Sequence, residues 1–318
     1  MLSVLISGTG DAQNVLLKDT TTGTFAEILP FCGAILHAYS IHHNGHSVNV
    51  IDSYNDATDF KNNCASKGFK GCKLSPFVCR LKDGKYSFGQ RAHKIQKFYL
   101  GQNALHGLIY DANFIIVGQE SGQEKASVTM QHEYRAEDPG YPFNYDCVIT
   151  YELAEGNALS IITEIINKDE GHIPVADGWH PYFRLGGKID DLQLEFQSRS
   201  MLEFDAQLIP TGKLLPYQEF GSLKKIGDTV FDNCFTLNQA ECQPLCVLRD
   251  PVQKIQIEIQ PGAAYPYLQL YTPDHRNSIA IENLSSTPDA FNNGMGVITL
   301  EPGTSASFKT TYTISSLS

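Results

Sequence analysis

His180 and Glu282, about a hundred positions apart, each stand in a stretch whose residue types suit proton chemistry. The first stretch runs from Ala176 to Gly187 and contains Gly178-Trp179-His180-Pro181-Tyr182-Phe183. The second runs from Ile279 to Gly294 and contains Ile281-Glu282-Asn283-Leu284. Both place one titratable side chain among aromatic, Pro and Gly residues at what reads as a strand end. An imidazole and a carboxylate brought to one place are the minimum equipment for moving a proton onto one oxygen and off another. Taken singly, each also has a plain structural reading: a core imidazole bonded to a backbone carbonyl, and a carboxylate closing a strand. The elements that carry them decide between the two.

Those elements read as strands. Runs at 24–29, 34–41 and 47–51 are punctuated by Pro30, Gly33 and the hairpin signal Asn44-Gly45. His42, His43 and His46 flank that turn with no acidic or Cys partner nearby, and read as solvated turn residues. Residues 52–75 are polar and contain Gly, the mark of a surface loop. Between 125 and 168 the alternation is strong: Cys147, Ile149, Tyr151 and Leu153 share one strand face. Leu159, Ile161, Thr163 and Ile165 share the next, across the turn Glu155-Gly156-Asn157. Similar runs recur at 191–196, 253–260, 266–271, 278–283, 295–300 and 306–315, and no amphipathic helix of three turns is visible. Many short strands at even spacing predict an all-β sandwich or barrel. With no linker-like composition shift and no internal repeat, residues 1–318 read as a single domain.

Composition narrows the class. Hydrophobic residues at 42% and charged ones at 19% allow a sizeable core and argue against disorder. A net charge of -11 argues against a general nucleic-acid binder, which needs a basic face. The eight Cys are scattered without a CxxC pair or a His–Cys ligand cluster, so they read as small buried hydrophobes or free thiols. The N-terminal run Met1 to Gly8 has no basic start and too short an apolar segment for a signal peptide. No apolar stretch approaches membrane-spanning length. The expectation is a soluble, cytoplasmic protein without a nucleic-acid or membrane partner.

Three further segments complete a recognisable set. They are Pro76-Phe77-Val78-Cys79-Arg80-Leu81-Lys82-Asp83-Gly84-Lys85-Tyr86-Ser87-Phe88, Asn103-Ala104-Leu105-His106-Gly107, and Phe231-Asp232-Asn233-Cys234-Phe235. With the His180 and Glu282 stretches, and Leu300-Glu301-Pro302-Gly303 closing the series, the chain from roughly 25 to 305 resembles the aldose 1-epimerase (galactose mutarotase) family. That resemblance implies a large antiparallel β-sandwich of the supersandwich type, with the site on one concave face. It implies Glu282 as base, His180 as acid, His106 and Arg80 polarising and holding a sugar, and Asp232 gripping distal hydroxyls. It implies no metal or other cofactor, a small-molecule sugar as the partner, and a monomer or homodimer. Two positions depart from the family's pattern: Cys79 replaces the usual Asn before the Arg, and Asn233 replaces the usual His after the Asp.

Such a pair would open a cyclic hemiacetal, the carboxylate taking the anomeric proton while the imidazolium protonates the ring oxygen. No Gly-rich phosphate loop, His-Glu-x-x-His or Gly-x-Ser-x-Gly motif signals another chemistry. Trp179, Tyr182 and Phe183 offer flat faces to a sugar, with core packing the expected role of two of them. Two rivals remain. Between Lys70 and Lys97, eight basic residues face the single acid Asp83. That surplus reads as a solvated face or as a welcome for a phosphate, which would make the substrate a hexose 6-phosphate. Against that, the usual His-Gly-Phe-Ala-Arg of such enzymes is His106-Gly107-Leu108-Ile109-Tyr110 here. The other rival is a non-catalytic sugar-binding protein on the same fold, which has no need of both His180 and Glu282.

Overall fold

The structure is a computed structural model, and it describes residues 1–241 and 243–317. Two large sheets dominate. The first has nine strands, in the order Ile115–Ser121, Lys125–Arg135, Asn144–Ala154, Ala158–Asn167, Ser305–Ser316, Ile255–Pro261, Cys246–Asp250, Gln193–Phe196 and Lys224–Lys225. The second runs Pro210–Pro216, Ser198–Phe204, Asp232–Leu237, Tyr267–Tyr271, Ile279–Leu284, Gly178–His180 and Cys72–Leu74, with Tyr182–Phe183 also paired to Ile279–Leu284. A five-stranded sheet, Leu2–Ser7 through His46–Asn49, flanks them. Among the described residues every pairing between strands of these sheets is antiparallel, and an isolated bridge between Ser75 and Gly107 is parallel.

The alternating pattern explains why these strands form and what they bury. The hairpin of 144–154 and 158–167 pairs Ala154 with Ala158 across Gly156 and Asn157, both left-handed at φ 75° and 58°. The eight residues predicted for its inner faces, Thr163 included, are all buried. The same inner face of the nine-stranded sheet meets the second sheet ring to ring, with Tyr151 of the hairpin 6.2 Å from Trp179 and Tyr312 of the strand Ser305–Ser316 5.4 Å from Phe183. Asn283 on the second sheet accepts a buried hydrogen bond from Thr310 on the first at 2.8 Å. Successive side chains of a strand point to opposite faces. Because Trp179, Phe183 and Asn283 face the nine-stranded sheet, their neighbours His180, Tyr182 and Glu282 point the other way, into a cavity.

Three sequence expectations need correction. Residues 52–75 are not one surface loop: Ala57–Asn63 is a helix, capped by Asp56 accepting from the Asp59 N–H at 2.8 Å, and Cys72–Leu74 is a wholly buried strand. The helix buries only Phe60, so it leaves no apolar stripe to read. His42 and His46 are exposed, but His43 is buried, its ring bonded to Ser316 Oγ and the Gln253 carbonyl at 2.7 Å each. Nor is the basic run a uniform solvated face. Lys70 pairs with Asp52, Lys97 with Asp111, and Lys73 is fully buried against Asp177. The seven described cysteines are buried and unbonded, and Cys242 lies outside the described residues. Among the described residues no helix is long and apolar enough to cross a membrane.

Candidate active site

Four neighbouring strands of the second sheet supply the floor. Gln269 lies directly opposite Glu282 in register, so the two side chains share a face. Asp232 pairs with Tyr271, which puts it diagonally beside Gln269, and the Gln269 amide donates to Asp232 Oδ1 at 3.1 Å. On the other side of Glu282, His180 brings its Nε2 to 3.5 Å from Glu282 Oε1.

His106 and Arg80 arrive from a small three-stranded sheet above this floor. Arg80 sits on the strand Arg80–Leu81 opposite Leu105. Its guanidinium is half-buried and has no hydrogen-bond or ion-pair partner among the described residues. His106 follows the strand Asn103–Leu105 in a left-handed conformation, φ 63°, fixed by its N–H donating to the Cys79 carbonyl at 2.8 Å. Gly107 continues the turn at φ 76°, where an added Cβ would lie 2.3 Å from the Ser75 oxygen, so only glycine fits. The turn sets the His106 ring edge-on to His180, with centroids 4.9 Å apart.

The resulting cavity has a volume of about 250 Å³. The five residues singled out in the sequence, His180, Glu282, Arg80, His106 and Asp232, all line it. Tyr182 lines it too, stacked on His180 at 5.1 Å, whereas Trp179 and Phe183 are in the core. Sequence reasoning missed Gln269 and Tyr271. Their one signal was a polar residue inside the apolar strand Leu268-Gln269-Leu270, just ahead of the Glu282 strand. Of the two departures from the family pattern, Cys79 lines the cavity; Asn233 turns away and accepts from the Asp232 N–H at 3.3 Å.

Burial sets the protonation. Desolvation pushes Glu282 well above the ordinary carboxylate range; the nearby Asp232 adds to this and Arg80 opposes it. Desolvation lowers His180 to about 4. His106 is held well below its usual value by burial first, then by His180 and Arg80. Asp232 is raised by desolvation, against Arg80 and the Gln269 amide. Glu282 Oε2, Gln269 Oε1 and His106 Nδ1 are buried without a protein partner, so the floor keeps hydrogen-bonding capacity for a polyol.

A buried network locks the two central strands from behind. Asp177 and Ser285 exchange two bonds of 2.8 Å, tying the His180 segment to the end of the Glu282 strand. Asp177 also accepts from Lys73 Nζ at 2.5 Å and from the Tyr265 hydroxyl at 2.6 Å. Lys73 in turn lies 4.5 Å from the Trp179 ring centroid.

Comparison with known proteins gives the same answer from another direction. The family model described as aldose 1-epimerase matches residues 15–313. An aldose 1-epimerase of Streptococcus thermophilus is 25% identical over 300 residues, covering 82% of each chain. A maltose epimerase of Levilactobacillus brevis is 23% identical over 278 residues, covering 80% of this chain and 78% of its own. Among solved structures, a galactose mutarotase-like protein of Clostridium acetobutylicum superposes with a TM-score of 0.87 at 17% identity, covering 99% of each chain. The strand-built architecture is thus that of the galactose mutarotases, and with nearly its whole length matched, the chain belongs to the aldose 1-epimerase family, a family of isomerases.

Proposed function

We propose that the protein interconverts the α and β anomers of an unphosphorylated aldose, with Glu282 and His180 as the acid–base pair. The observation that carries this is the buried 3.5 Å approach of His180 Nε2 to Glu282 Oε1 on a floor with unpartnered polar atoms. Glu282 as carboxylate takes the anomeric hydroxyl proton, and His180 as imidazolium protonates the ring oxygen as its bond to the anomeric carbon breaks. After rotation about the bond between the first two carbons, the ring closes on the other face with the roles reversed.

The pair holds one proton throughout. In the ring-closed complex that proton is on His180; in the ring-opened state it is on Glu282. Burial favours the second arrangement, since it disfavours both charges. Burial therefore acts against the ion pair of the ring-closed complex and in favour of the ring-opened state. What restores the ion pair is the sugar, whose hydroxyls donate to Glu282, together with the Arg80 charge, which stabilises the carboxylate. A hydrogen bond to a charged group contributes about 1.5–3 kcal/mol. His106, held neutral, orients hydroxyls without adding charge.

Preference for an unphosphorylated substrate rests on where the basic residues go. Among the described residues Arg80 is the one Lys or Arg side chain lining the cavity, and it faces the carboxyls of Asp232 and Glu282. Lys70, Lys73 and Lys97 are taken by Asp52, Asp177 and Asp111. In the ring-closed complex, where Glu282 is ionised, its carboxylate beside Arg80 would repel a phosphate. Unbonded buried cysteines suit a reducing compartment, and a cytoplasmic location belongs to the same proposal. Polarimetry of freshly dissolved α-glucose, α-galactose and glucose 6-phosphate tests it. Faster approach to equilibrium with the unphosphorylated sugars supports the proposal; acceleration of the phosphate alone would replace it, and no acceleration would favour a non-catalytic binder.

A further inference from the structure

The loop between the helix Ala57–Asn63 and the strand Cys72–Leu74 brings two thiols together beside the cavity. The Cys64 and Cys72 sulfurs are 3.5 Å apart and unbonded. A disulfide needs about 2.05 Å between sulfurs, so closure asks for a shift of roughly 1.5 Å. The backbone already folds the two ends together: the Phe69 N–H donates to the Cys64 carbonyl at 2.9 Å, and the Cys72 N–H to the Phe69 carbonyl at 3.1 Å.

The two sulfurs differ in access and in acidity. Cys64 forms part of a surface cleft with Ser66, Tyr110 and Asp111, whereas Cys72 is wholly buried. The hydrogen bond from Cys72 holds the Cys64 thiol below its ordinary value, while burial pushes Cys72 well above it. Cys64 is therefore the thiol that ionises and meets a small oxidant, and Cys72 is the partner that resolves the product.

The same loop is joined to the acid–base pair. Gly68 and Phe69 line the cavity, and the Phe69 ring packs on His106 with centroids 4.8 Å apart. The Gly68 carbonyl accepts from the Tyr182 hydroxyl at 3.0 Å, and Tyr182 stacks on His180. The Gly71 N–H donates to the His180 carbonyl at 2.8 Å, and Cys72 is the register partner of His180.

We propose that Cys64 and Cys72 form a reversible oxidation site, a thiol pair that a hydroperoxide converts to a disulfide and that thereby displaces His180 and Phe69. The effect on turnover rests on the proposed epimerase activity; the bond itself does not. The Cys64 thiolate attacks hydrogen peroxide, giving a sulfenic acid and hydroxide. The Cys72 sulfur then attacks the sulfenic sulfur, the S–S bond forms, and the hydroxyl leaves with the Cys72 proton as water. A small dithiol reverses the reaction, becoming a disulfide itself.

Trypsin makes the test direct, because it cleaves after Lys61, Lys67, Lys70 and Lys73. Peptides 62–67 and 71–73 then stay together only through this bond. Peroxide treatment of the whole protein should yield the linked pair, and dithiothreitol or Cys64→Ser should abolish it. Since a misplacement of about 1 Å costs up to 10²-fold in rate, linkage should slow sugar mutarotation about tenfold or more. Dithiothreitol should restore the rate, and both Cys64→Ser and Cys72→Ser, neither of which can form the bond, should keep their rate in peroxide. The proposal falls if other cysteines oxidise and no linked pair forms, or if linkage leaves the rate unchanged. It falls equally if Cys64→Ser is inactivated like the wild type, which would point to Cys79 in the cavity. Should the untreated protein act on no sugar, the epimerase proposal fails while the linked peptides still decide the oxidation site.

Discussion

Glu282→Gln should remove activity and raise stability, and the second effect is the more demanding prediction. Glu282 is 2% exposed, and burial holds its carboxyl protonated well above the ordinary 4.5. In the unfolded chain the same group ionises near 4.5, so between 4.5 and the folded value the folded state binds the extra proton. Folding is then opposed, and the cost grows as pH rises through that window. Each unit is about 1.4 kcal/mol, so at pH 7 the penalty reaches at most about 3.4 kcal/mol. The amide introduced by the substitution would keep the shape and hydrogen bonds of the protonated acid without the titration. Unfolding entropy of about 2.1 cal/mol/K per residue makes 1 kcal/mol worth about 1.5 °C in a chain of 318 residues. The variant should thus melt up to about 5 °C higher at pH 7, and the gain should shrink toward zero as pH approaches 4.5. Thermal melts of both proteins across pH 4.5–8 read this out. A variant that melts lower at pH 7, or a difference that ignores pH, would refute the buried, protonated carboxyl.

Other consequences are open to simple measurements. With His180 lowered to about 4, kcat/KM should be flat just above that pH and fall about tenfold per unit below it, as His180 takes a second proton and the pair can no longer ionise as base and acid; a limb near 6.5 would mean an unperturbed imidazole. Lys73→Met strands the buried Asp177 charge and should cost about 3–5 kcal/mol in denaturant unfolding, whereas Lys73→Met with Asp177→Leu should recover most of it. Gly107→Ala should destabilise by more than the roughly 1–2 kcal/mol of a left-handed alanine, a fall in melting temperature of more than about 3 °C, because its Cβ meets Ser75; a wild-type melt would show the turn can relax.

What is legible in the sequence follows from which forces are local. The hairpin around Gly156 can be read because period-2 burial and a left-handed turn are written in consecutive residues. That the candidate residues meet in one cavity can be read through motif order, since His106, His180 and Glu282 each carry recognisable neighbours. The place of Gln269 in the cavity cannot, because it depends on lying opposite Glu282 across two strands, a fact of register rather than of spacing. By local composition Lys73 reads as part of a charged surface. Its burial depends on Asp177, more than a hundred residues later in the chain, and on Trp179 beside it, a pairing that local composition does not reveal. The helix Ala57–Asn63 escapes a reading by periodicity because it buries one side chain and rests on a cap.

The central claim is that Glu282 and His180 act as one unit, the first taking the anomeric proton while the second gives a proton to the ring oxygen. The measurement closest to it is the rate of α–β exchange at equilibrium, followed by NMR on the anomeric carbon, for the wild type, Glu282→Gln, His180→Asn and the double variant. Removing either group should cost about 10²–10⁴ in rate. Because the two act as one unit, the double variant should be no slower than the worse single one. Multiplying losses would mean two independent contributions, and a fully active single variant would mean that the proton travels by another route.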